Sequence, residues 1–267
     1  MHMVLALAQI HETALDLCVA GDQNSHHWNQ ATSLLRTQLS RPITSSERDA
    51  LWITVALHSV AYLAATEATT PAQAWPLRPP SSFDLAWLKL CHGKQLVANL
   101  TDPLRSDSAF CLAAGELQTM VDYLREIASH EPRFESLPKR FYELFELGND
   151  PKVNPYFAGV AALAYVLSLE LDERNFLPHL CWTCVLDEKF KLLLYQKDER
   201  AMLLLLYWYA KICDHRIWWM WKQSWTEGLA ICSFLEAAWM NQPDEAGLLE
   251  WPRVALIIAG RNGHQPG

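Results

Sequence analysis

The chain has 267 residues, a formal net charge of −8, 51% hydrophobic residues and only 19% charged ones. That length is near the upper limit for one hydrophobic core, so one large domain over residues 1–267 is expected. The acidic balance argues against a surface that tracks phosphates, so no direct nucleic-acid binding is expected. The seven cysteines are odd in number and scattered in spacing. They read as reduced thiols of a cytoplasmic or nuclear protein.

Helical periodicity dominates, and no alternating β-branched run with a tight turn is found. The first helix is placed at residues 2–20, stopping at Gly21. The apolar start lacks a basic segment and has Glu12 and Asp16 at helical spacing, so it is read as an amphipathic helix and not a leader. The second helix is placed at 26–39, before Arg41-Pro42. Thr44-Ser-Ser-Glu47 is a capping signature for a third helix running to Thr66, with Leu51, Val55, His58 and Tyr62 along one face. Four prolines within 69–82 forbid a regular helix there. Ser81 or Ser82 is expected to cap a helix to 99. Further helices are placed at 109–129, 137–147, 155–171, 174–195, 198–213, 217–241 and 247–259. Ala201–Ala210 is ten residues without a charge. That is too short for a membrane span of ~20 residues and reads as a helix buried on nearly all sides. The tail 260–267 reads as a frayed end.

Few residues carry a chemical signal. Cys181 and Cys184 form the one CxxC, with His179 close by. A structural zinc site needs four ligands and usually a second pair, so two buried helical thiols are expected and no metal. Trp218, Trp221, Trp225, Leu229 and Cys232 form a stripe that is either a core or dimer face or one wall of an apolar pocket. Asp214 and His215 are adjacent on a helix end and point apart, which disfavours a catalytic dyad. His26 and His27 are expected to be solvated. Phosphate loops, nucleophile elbows and acidic metal clusters are absent from the sequence, so no cofactor is expected.

Several segments together resemble the regulatory domain of fungal binuclear zinc-cluster (Zn2Cys6) transcription factors, in the branch of the sterol-uptake regulators. They are His2–His11, His27-Trp28 through Leu35, Phe83–Gly93, Ala201–Ala210, Trp218-Trp219 and Trp251-Pro252. The six-cysteine DNA-binding cluster is not in this sequence, so an excised or stand-alone regulatory domain is expected. The resemblance implies an all-α fold and a pocket for a hydrophobic, sterol- or secondary-metabolite-like ligand. Expectation therefore settles on an all-α domain with an apolar pocket lined by His58, Tyr62, Trp87, Tyr165, Trp208 and Trp218. His58 is the polar anchor, or the acid–base group if the domain is an enzyme. The first function expected is a regulatory module binding a hydrophobic small molecule or a protein, as a monomer or a homodimer. The alternative is a cofactor-independent enzyme that isomerises or cyclises a hydrophobic intermediate.

Overall fold

A computed structural model describes residues 1–14, 22–129, 133–172 and 175–262. The expected stop at Gly21 and residues 263–267 of the tail lie outside the described residues, whereas 260–262, expected to fray, are the last residues of a helix. The fold is all-α: among the described residues there is no strand, and no helix is long and apolar enough to cross a membrane. The chain divides into two compact units, each assembled from separate stretches.

The first unit comprises Met1–Glu67, Ala86–Glu116 and Trp218–Lys222. Helix α1 (His2–Ala14) packs on α2 (Asp22–Leu39) and α3 (Arg48–Ala64), and α3 packs along α4 (Ala86–Thr101). Met3, Ala6, Ala31 and Ala61 meet at the centre, with Leu7, Ile10, Trp28 and Leu57 around them. Three alanines at that contact leave the helices nothing large to hold them apart. The capping signature is real: the Thr44 N–H and hydroxyl donate to Glu47 Oε2 at 3.0 and 2.7 Å, ahead of α3. In the first turn of the helix, the Asp49 carboxylate accepts from Ser108 Oγ at 2.8 Å, the Ala109 N–H at 2.9 Å and the Arg105 guanidinium. This ties α3 to the turn after α4. The hydrogen bonds, led by that from Ala109, hold the Asp49 carboxyl below its ordinary value.

The second unit comprises Ala68–Leu85, Leu117–Ile217 and Gln223–Gly267. It takes the later part of α5 (Cys111–Ser129), then α6 (Arg140–Leu144), α7 (Phe157–Ser168), α8 (Phe176–Cys181) and α9 (Glu188–Tyr195). After these come α10 (Glu199–Ile212), most of α11 (Trp221–Ala238), α12 (Pro243–Gly247) and α13 (Glu250–Asn262). Helix α10 is the axis of the unit. Every residue from Ala201 to Ala210 is buried, and the helix packs on α7, α9 and α13. Trp182 and Trp208 stack with centroids 5.3 Å apart. Their indole N–H groups donate to the carbonyls of Gly159 and His179 at 3.0 and 2.8 Å, so these large aromatics are buried without an orphaned donor.

Three helix boundaries differ from expectation for local reasons. Helix α4 starts at Ala86 because Asp84 accepts from the Ser81 N–H at 3.0 Å and from Arg78 Nη2 at 2.7 Å, holding a turn. Leu85 then sits at φ 51°, a left-handed conformation no helix passes through. The segment expected at 174–195 is broken, because Asp187 accepts the Phe190 N–H at 2.7 Å and opens α9 as a new helix. The helix expected over 137–147 is reduced to α6, closed off as Glu146 takes φ 52°.

Candidate functional site

The residues expected to line one pocket fall in both units. His58, Tyr62, Trp87 and Trp218 belong to the first, and Tyr165 and Trp208 to the second. His58 is buried on α3. Its Nε2 lies 3.0 Å from Thr32 Oγ1, and its ring packs on Trp28 with centroids 4.7 Å apart. Burial lowers its pKa, disfavouring the charged imidazolium. Tyr62 is half-buried on the same helix and Trp87 is buried on α4. Trp218 precedes α11 and packs on His11 at 4.4 Å. Tyr165 meets Tyr123 edge-on at 5.5 Å, and Trp208 is spent in its stack with Trp182.

The other sequence signals have structural explanations. Cys181 is buried and Cys184 half-buried, at the junction of α8 with a single 3₁₀ turn. His179 has its Nδ1 2.6 Å from the Asn175 carbonyl, and burial is the main influence lowering its pKa. His27 is not simply solvated, since its Nδ1 lies 2.9 Å from His2 Nδ1.

A cleft of about 450 Å³ opens in the second unit. Its walls include Lys197, Asp198, Glu199, Arg200, Trp239 and Glu245, so it is mostly charged, and none of the residues expected to line an apolar pocket is among them. Its charges are committed to the fold. Asp198 caps α10 through the Ala201 N–H at 2.9 Å and accepts the Tyr156 hydroxyl at 3.0 Å. Arg200 lies 4.4 Å over the Tyr156 ring, Glu245 pairs with Arg140 at 2.8 Å, and Glu199 accepts the Trp239 indole N–H.

A raised carboxyl pKa marks Glu227, on α11. Gln223, Glu227 and Ile231 follow at i, i+4, i+8, and Ser224, Gly228 and Leu235 lie beside them on the deeper face of the helix. Gly228 has a packing role: a Cβ there would come within 3.0–3.1 Å of the Leu256 methyls, so the absence of a side chain lets α13 approach. Tyr209, buried on α10, donates to Glu227 Oε2 at 2.5 Å. Gln223 donates to Oε1 at 3.2 Å. The Arg78–Asp84 ion pair of the 68–85 segment acts on the same carboxyl with opposed signs. Burial is the largest influence and pushes the Glu227 pKa up to about 7, against the pull of the two hydrogen bonds. A carboxyl in that range both gives and accepts a proton at neutral pH.

Sequence reasoning passed over Glu227 in favour of the tryptophan stripe. The signal was there: a single carboxylate on the face of α11 that carries Ser224, Gly228 and Ile231. Glu227 is itself half-buried, as are Trp221, Trp225 and Leu229 of the stripe, while Cys232 is buried. Comparison with protein-family models, with curated proteins and with solved structures gives no match for this chain.

Proposed function

We propose that the chain binds a mostly hydrophobic small molecule and moves a proton on it with Glu227, catalysing a cofactor-independent isomerisation or cyclisation. The observation that carries this reading is the Glu227 carboxyl, raised to about 7 and held between Tyr209 and Gln223. Strongly perturbed carboxyls with specific partners are concentrated at functional sites. In the step envisaged, protonated Glu227 donates to a carbonyl or alkene of the substrate. The carboxylate left behind is stabilised by the Tyr209 hydroxyl and the Gln223 amide. It then removes a proton from a neighbouring carbon, so the reaction ends with the proton count unchanged and needs no redox partner.

A second reading uses the same kind of ligand without chemistry: a regulatory module of the fungal zinc-cluster type, in the nucleus or cytoplasm, that holds the molecule unchanged. The all-α fold is what that resemblance implies. Native mass spectrometry of the wild-type protein and of Glu227→Gln, both isolated from the native source, separates the two when the released ligand is identified by chromatography and NMR, because isomers share one mass. The enzyme reading expects the variant to retain a compound that wild type converts to an isomer. The same unaltered compound in both proteins overturns the enzyme reading and supports the regulatory one. No bound small molecule in either overturns both.

A further inference from the structure

Helix α13 is amphipathic in the usual way on one side only. Pro252, Leu256 and Ala259 are buried, and Gly260 lies so close to Trp225 that a Cβ would stand 2.8 Å from the indole nitrogen. The opposite side should be polar. Val254, Ile257 and Ile258 stand there instead, 46%, 41% and 51% exposed. Trp251, 43% exposed, flanks them and rests against Tyr207 with centroids 5.1 Å apart. Surface apolar residues scattered singly need no explanation, but a contiguous strip does.

The charges at the ends of this strip identify what fits it. Glu250, Val254, Ile257 and Arg261 follow at i, i+4, i+7 and i+11, which puts all four on one face. Glu250 and Arg261 are both exposed. They are separated by about 16 Å along the axis at 1.5 Å per residue, too far to pair within one helix. A second α13 laid antiparallel along the first brings Glu250 of each copy to Arg261 of the other. In that same register Val254 of each copy meets Ile257 of the other. A parallel pairing would set Glu250 against Glu250 and Arg261 against Arg261. Arg253, on the flank of the strip, is already paired with Glu236 at 3.2 Å and does not disturb this register.

We infer that the exposed face of α13 is a two-fold, antiparallel interface with a second copy of this chain, apolar at its centre and closed at each end by a Glu250–Arg261 pair. One helix face from each copy is small beside the ~1,200–2,000 Å² of standard interfaces, so the dimer is a concentration-dependent one. The inference does not depend on the role of Glu227.

Sedimentation velocity on the full chain, from about 1 to about 200 μM at low and high salt, tests it across the span of a micromolar Kd. Wild type is expected to shift from monomer to dimer over that range. Val254→Glu is expected to remain monomeric, with an unchanged helical circular-dichroism spectrum because the side chain is exposed. Glu250→Arg and Arg261→Glu, taken singly, are each expected to weaken the dimer at least tenfold. Combined in one chain, they restore it, because the pair is re-formed with its signs reversed. A wild type that stays monomeric at the highest concentration overturns the inference, as does a dimer indifferent to Val254→Glu. A double variant no better than the single ones overturns the antiparallel register.

Discussion

Glu227 holds its proton more tightly in the folded chain than in the unfolded one, and this gives stability a definite pH dependence. Between pH 4.5 and about 7 the folded state keeps a proton that the unfolded state has lost. The contribution is therefore fully present below that window and falls as pH rises through it, by up to about 1.4 kcal/mol per pH unit. Glu227→Gln keeps a neutral group of similar shape, so its stability should not fall in this way. Urea midpoints should converge for the two proteins near pH 5 and favour the variant by on the order of 1–3 kcal/mol near pH 8. Equal slopes would show that the carboxyl is not held neutral. His58 has the opposite sign. Its pKa is lowered by burial, so below its ordinary value of 6.5 the unfolded chain takes up a proton that the folded one refuses. Stability is lost as pH falls through that value. His58→Gln should reduce the loss of stability as pH falls below about 6.5, read from the same urea series. His58 could be picked out in the sequence from its place beside Leu51 and Val55. Its partner Thr32, 26 positions away, could not, because helix periodicity reports which face is buried and not what is packed against it.

The junction of α9 with α10 shows how much structure one side chain can determine. The Lys197 N–H donates to the Leu194 carbonyl at 3.0 Å and the Asp198 N–H to the Leu193 carbonyl at 2.9 Å, the double closure of a Schellman ending. Lys197 stands at φ 56°, where glycine is the common choice, and its Nζ is fastened to the Pro76 carbonyl at 2.8 Å. Asp198, the next residue, begins α10 by capping the Ala201 N–H. Asp198→Ala is expected to cost about 1–2 kcal/mol from the lost cap, with a further loss because the Tyr156 hydroxyl loses its acceptor. Denaturant unfolding at neutral pH would measure it, and Asp198→Asn should recover much of the difference. Helix α10 was legible from its ten-residue apolar run, and the Thr44–Glu47 cap from its spacing. The break at Asp187 was missed because apolar residues continue on both sides of it. The late start of α4 was missed because Arg78, six residues before Asp84, decides it.

Each unit is assembled from stretches far apart in sequence, and this sets an order of events when the chain is made. The first unit has α1, α3 and α4 by residue 101, yet it also includes Trp218–Lys222. Trp218 is the residue that packs on His11, and Lys222 Nζ is 2.9 Å from the Thr66 carbonyl. Between Glu116 and Trp218 the ribosome must add residues 117–217, a stretch of 101. At ~5–20 residues per second that is roughly 5–20 s. For that interval the earliest helices lack the Trp218–His11 contact and the Lys222–Thr66 hydrogen bond. A nascent chain stalled at residue 217 should remain protease-sensitive within residues 1–116, and one stalled far enough beyond residue 222 to expose it should gain protection there.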